Sequence, residues 1–125
     1  MFNASVISGK GRGKGMGFPT LNLQIPPQLD ALHGIYAGWV WIGEQQFQGA
    51  FHYGPIPTFQ DAGVSLEVYL LDSDIEVPPK AVRFELVKRL REVRTFDSVE
   101  ALVAQIELDV KQCKEVLENR LIDNG

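Results

Sequence analysis

The hydrophobic spacing of this chain changes period once, and that change limits the folds open to it. Before Leu90 the clearest stretches alternate apolar and polar residues, as half-buried strands do; after Asp97 the apolar positions step by three and four, as in a helix. In residues 65–71, Leu66, Val68 and Leu70 oppose Glu67, Tyr69 and Leu71, and in residues 81–90, Val82, Phe84 and Leu86 oppose Arg83, Glu85 and Val87. Residues 33–42 and 46–53 are rich in β-branched and aromatic side chains and flank Gly43-Glu44, a hairpin signal. Two shorter extended runs come first, 4–8 and 20–25, the second bracketed by Pro19, Pro26 and Pro27. Beyond Asp97, the residues Val99, Leu102, Val103, Ile106, Val110, Cys113, Leu117 and Leu121 form one helical stripe. Asp97 and Ser98 can cap this helix, Glu100 suits its first turn, and Glu107–Lys111 and Lys114–Glu118 add surface pairs. The expected fold is mainly β: five or six antiparallel strands closed into a small barrel, with a long C-terminal helix. Closure is favoured because an open sheet would leave two edges to protect.

At 125 residues the chain holds one core, so residues 1–125 are expected to form a single domain. Its composition, 45% hydrophobic and 22% charged, excludes a disordered or fibrous chain. No apolar run is long enough to span a bilayer and the N-terminus lacks a signal-peptide core, so a cytoplasmic location without membrane partners is expected. Cys113 has no intrachain partner and reads as a buried helix residue. The net charge is −4, but residues 1–29 carry Lys10, Arg12 and Lys14 and no acid, leaving the remainder at −7. A basic loop on an acidic protein suits a small anion better than a long nucleic acid.

Candidate chemistry lies in three places. In GKGRGKGMG, at 9–17, glycines alternate with Lys10, Arg12, Lys14 and Met16, so backbone N–H groups and cationic side chains could cradle phosphates. The spacing fits neither G-x-x-x-x-G-K-[ST] nor G-x-G-x-x-G, and a solvated turn is the plainer reading. Thr20 and Asn22, two apart on an extended segment, offer a hydroxyl and an amide to one side, which suits Mg²⁺ shared with phosphates; the plainer reading is turn capping. Glu67 is an acid inside an apolar strand, either a general base or an outward polar residue on an edge strand. His33 and His52 lack metal-ligand spacing and read as core-edge or surface residues. Pro57-Thr58-Phe59 reads as a rigid turn, and residues 88–96 as a substrate flap or a charged strand end. Trp39 and Trp41 are open between core and ligand.

The order of these segments resembles the riboflavin kinase family, including the kinase domain of bacterial bifunctional FAD synthetases. Gly11-Arg12-Gly13 through Gly17-Phe18-Pro19-Thr20-Leu21-Asn22 is similar to the family's G-R-G-x-x-x-G-F-P-T-A-N, and Gly34-Ile35-Tyr36-Ala37-Gly38 to its G-[IV]-Y-A-G. Gly54-Pro55-Ile56-Pro57-Thr58-Phe59 resembles G-x-x-P-T-F, and residues 66–72 resemble [LV]-E-[VT]-[HY]-[IL]-L-D. Arg91, Phe96, Ser98, Leu102, Gln105, Ile106 and Asp109 match a further block near the C-terminus.

The resemblance implies a six-stranded Greek-key barrel with a C-terminal helix. It also implies transfer of the ATP γ-phosphoryl group to the ribityl 5′-hydroxyl of riboflavin, giving FMN and ADP. In that reading Thr20 and Asn22 bind Mg²⁺, and Gly9, Lys10, Gly11, Arg12, Gly13, Lys14, Gly15, Gly17, Pro19 and Thr20 bind the nucleotide. Glu67 takes the hydroxyl proton, and the flavin lies between the barrel and the segment carrying Arg91, Arg94, Thr95 and Phe96. The expected partners are riboflavin and ATP, with no nucleic acid, and the chain is expected to be a monomer. Leu21 stands where the family has alanine, and Val77-Pro78-Pro79-Lys80 where it has a Leu-Tyr-Gly-Lys turn. With no adenylyltransferase domain in these residues, the chain is expected to make FMN and not FAD. Two other readings are a non-catalytic flavin or nucleotide-binding module and a barrel binding single-stranded nucleic acid.

Overall fold

A computed structural model of the chain describes residues 1–7, 20–55, 63–73 and 77–124. Six strands and one helix follow in order: β1 (Phe2–Ile7), β2 (Thr20–Leu23), β3 (Gly34–Ile42), β4 (Gln45–Gly54), β5 (Ser65–Leu70), β6 (Ala81–Arg91) and α1 (Val99–Asn124). The strands close into a barrel in the spatial order β1-β2-β5-β4-β3-β6, every described pairing being antiparallel. β3, β4 and β5 form a meander, while β2 returns beside β5 and β6 beside β3, so the meander takes part in two Greek keys. Among the described residues no strand is left with an open edge, the outcome that the edge argument favours.

Alternation decides what fills the barrel. Leu23, Tyr36, Val40, Phe51, Leu66, Val68, Leu70, Val82 and Phe84 point inward and form the buried core. Phe84 ties it together, with its ring 5.3 Å from Phe2 and 5.5 Å from Phe51. Each such fully buried side chain contributes roughly 1.5–3 kcal/mol. The β3–β4 hairpin turns at Gly43-Glu44, as the sequence indicates, with Gly43 at φ 61 in the left-handed region that glycine tolerates. Where β6 bends past β3, the register shifts between Ala37 and Gly38, and a Cβ on Gly38 would collide with the Glu85 carbonyl.

The outer face of the barrel receives the helix. Ala37 and Ala50 are small enough to let it approach, and Cys113 and Leu117 are fully buried there with Leu71, Trp39 and Tyr69 around them. Trp39 is therefore a packing residue, while Trp41 lies under the Arg83 guanidinium, 5.9 Å from the ring centroid. The Ala101 N–H donates to Ser98 Oγ (3.1 Å), so Ser98 is the cap. The expected apolar stripe is only partly used: Val99 is 62% exposed, and full burial begins at Asp109 and continues at Cys113 and Leu117. Periodicity shows which side of a helix is apolar, not how much of its length meets the barrel. β5 lies between β2 and β4, so the edge-strand reading of Glu67 does not hold.

Candidate functional site

Residues paired across an antiparallel ladder point to the same side of the sheet, with Cβ atoms about 4.5–5.5 Å apart. Following the register sideways gives one outward row that crosses all six strands: Ile7, Asn22, Glu67, His52, Ile35 and Arg91. One pleat along β2 and β5, Thr20 pairs with Tyr69, which lies against the helix-packed face. The alternation of TLNL and SLEVYL therefore brings Thr20, Asn22 and Glu67 together on the outside of the barrel, although 47 positions separate Thr20 from Glu67 in sequence.

This outward face is enclosed by its neighbours. Glu67 is only 7% exposed, and Thr20 and Asn22 are half-buried. Thr20 Oγ1 is sealed from solvent and has no hydrogen-bond partner among the described residues. A buried hydroxyl left without a partner costs about 1–3 kcal/mol, so such an atom calls for a ligand. Among the described residues no group of three or more His, Cys, Asp or Glu could form an all-protein metal cage. A hard divalent cation fits Thr20 and Asn22 only if phosphate oxygens and water complete its shell, which is the usual habit of Mg²⁺.

Arg91, at the other end of the row, uses all three of its guanidinium nitrogens in hydrogen bonds. Its Nε and Nη2 donate to Asp109 Oδ1 (2.9 Å) and Oδ2 (2.8 Å), and Nη1 donates to the Glu92 carbonyl (2.9 Å). Gln105 Nε2 donates to Asp109 Oδ1 (3.0 Å), and the side chains of the ion pair are 10% and 5% exposed. The guanidinium carbon also sits 5.8 Å from the Phe96 ring centroid. This bidentate pair ties β6 and the start of the 92–98 segment to α1. Arg94 and Thr95 are exposed and Phe96 is half-buried. On the helix, burial pushes the Cys113 thiol up to about 12, with the Asp109 carboxylate adding to the effect.

The structure thus gathers Thr20, Asn22 and Glu67 and places Arg91, Arg94, Thr95 and Phe96 along the adjoining segment. Gly9, Lys10, Gly11, Arg12, Gly13, Lys14, Gly15, Gly17 and Pro19 lie outside the described residues, as does Pro57-Thr58-Phe59. Sequence reasoning gave His52 no role, yet it stands directly opposite Glu67. It also missed the pairing of Arg91 with Asp109. Correct alignment of β4 with β5 would have found the first; no local signal marks the second.

A family model described as Flavokinase, riboflavin kinase, matches residues 1–117. The bifunctional riboflavin kinase/FMN adenylyltransferase of Escherichia coli K12 is 32% identical over 111 residues, covering 88% of this chain and 36% of the relative. That of Bacillus subtilis is 32% identical over 123 residues, covering 91% and 37%. A B. subtilis protein named RNA-binding riboflavin kinase RibR is 30% identical over 108 residues, covering 85% of this chain and 46% of its own length. Among solved structures, one described as a macrolide-efflux protein from Streptococcus pneumoniae superposes with a TM-score of 0.79 at 27% identity, over 90% of this chain and 37% of that one. The chain spans little more than a third of the bifunctional relatives.

Proposed function

The chain belongs to the riboflavin kinase family, and on that premise we propose that it transfers the γ-phosphoryl group of ATP to the 5′-hydroxyl of riboflavin. The observation that carries this reading is the register of β2 against β5, which sets the desolvated Thr20 hydroxyl and the Asn22 amide beside the Glu67 carboxylate. Thr20 and Asn22 would hold Mg²⁺, and the ion would supply charge neutralisation for the nucleotide phosphates. The basic loop at 9–17 supplies further positive charge to the nucleotide. Glu67 accepts the proton of the 5′-hydroxyl as its oxygen bonds to the γ-phosphorus. The bond from that phosphorus to the β–γ bridging oxygen breaks, and ADP leaves. Phosphoryl transfer depends mainly on positioning and charge neutralisation, so one carboxylate and two neutral ligands on a rigid ladder are a chemically adequate set.

The acceptor's flavin ring lies beside the 92–98 segment, with Arg94, Thr95 and Phe96 the contacts and Arg91 holding that segment in place through Asp109. A short basic loop carrying Lys10, Arg12 and Lys14 on a chain of net charge −4 suits a small anion better than RNA, the ligand in one relative's name. No described helix is long and apolar enough to cross a membrane, and we place the reaction in the cytoplasm, where ATP is supplied, with the chain acting as a monomer. Incubation with riboflavin, ATP and Mg²⁺, followed by chromatography of the flavins, tests the reading. FMN should form, and should not form when a chelator is present. Riboflavin retained without FMN would make the chain a binding module, and no flavin retention would overturn the functional assignment.

A further inference from the structure

Ser65 carries a second buried hydroxyl that the proposed reaction does not yet use. Its Oγ is sealed from solvent and, like Thr20 Oγ1, has no hydrogen-bond partner among the described residues. Ser65, Glu67 and Tyr69 alternate along β5, so Ser65 faces outward with Glu67, about 7 Å from it along the strand. Thr20 pairs with Tyr69, on the far side of Glu67. The two orphaned hydroxyls therefore bracket the carboxylate along the strand, one toward the proposed phosphate donor and one away from it.

The surroundings of Ser65 connect it to the 92–98 segment. Its partner across the ladder is Gly54, which leaves the adjoining outward position without a side chain. A Cβ built on Gly54 would come within 3.1 Å of His33 Cβ and 3.3 Å of Val93 Cγ2. His33 and Val93, the latter on the segment proposed to receive the flavin ring, therefore pack directly against Gly54, beside Ser65. In riboflavin a polyol chain joins the ring to the hydroxyl that the proposed reaction phosphorylates, with secondary hydroxyls along its length.

Resting on the kinase reading, we propose that Ser65 binds a secondary hydroxyl of the acceptor's polyol chain. The chain then runs along β5 from Glu67 toward Gly54. This gives the site a direction, with the donor phosphates on the Thr20 side and the flavin on the Ser65 side. It also makes Ser65 a specificity residue for acceptors that carry secondary hydroxyls.

Ser65→Ala and Ser65→Thr are compared with the unaltered chain, using riboflavin and a flavin whose side chain is a plain ω-hydroxypentyl group. Losing one buried hydrogen bond should raise the riboflavin KM of Ser65→Ala about 5- to 10-fold, while the KM for ATP stays the same. Ser65→Thr should restore most of the loss. With the ω-hydroxypentyl flavin, Ser65→Ala and the unaltered chain should behave alike. The melting temperature of Ser65→Ala should be equal or higher, because the substitution removes an unsatisfied hydroxyl. An unchanged riboflavin KM, equal losses with both flavins, or a changed KM for ATP would each overturn the proposal. Flavin fluorescence titrations of the same variants read the contact without turnover. If the unaltered chain makes no FMN, the kinase reading fails, and a binding difference confined to riboflavin would still uphold the contact.

Discussion

At Glu67 two tendencies of a strand residue conflict. Alternation turns the side chain outward, where a carboxylate is normally hydrated, yet the neighbouring strands leave it 7% exposed. Removing an ionised carboxylate from water is costly, and a site of that kind persists more readily where the group has a task. Glu67→Gln keeps the size and the hydrogen-bonding capacity while removing the base. We expect kcat to fall about 10²- to 10⁴-fold, with ATP affinity and melting temperature little changed. Steady-state kinetics with a nucleotide-binding titration check this, and full turnover in the variant would remove Glu67 as the base.

At the scale of elements, the ion pair of Arg91 with Asp109 fastens α1 to the last strand. Asp109→Ala would leave a guanidinium with one-tenth exposure and no carboxylate, and breaking such a buried pair costs about 3–5 kcal/mol. A fall in melting temperature of about 10 °C or more is expected, with a smaller fall for Asp109→Asn, which still accepts a hydrogen bond. Equal melting temperatures for the three proteins would show that the pair carries no tertiary load. Alternation made β5 and β6 readable to within a residue, and Gly43-Glu44 marked the hairpin, because both signals are local. The outward placement of Glu67 followed from alternation alone. Its position next to Asn22 and His52 did not, because register between strands far apart in sequence is set by closure of the whole barrel. The same limit hid the ion pair, whose two residues lie on different elements. The motif order supplied by the family resemblance, not spacing, brought Thr20, Asn22 and Glu67 into one site.

For the molecule as a whole, the helix must stay seated for the barrel's outer face to stay dry, and Cys113 reports on that seating. Its thiol is buried against Ala37 and Leu71, with Sγ 4.0 Å from the Tyr36 carbonyl, and its pKa is raised from 9.0 to about 12. The folded chain therefore keeps the thiol proton to higher pH than the unfolded chain does. Below pH 9.0 both states are protonated and stability is unaffected; between there and about 12 the unfolded state has lost a proton that the native state retains. Stability then falls as pH rises, by up to about 1.4 kcal/mol per pH unit. Cys113→Ala starts less stable because of the small cavity, but it lacks this contribution, and every group other than the thiol is common to the two proteins. Denaturant melts from pH 8 to pH 11 should show the two stability curves converging above pH 9. Parallel curves would mean that the folded chain ionises its thiol as readily as the unfolded one, so that the helix does not seal this face of the barrel.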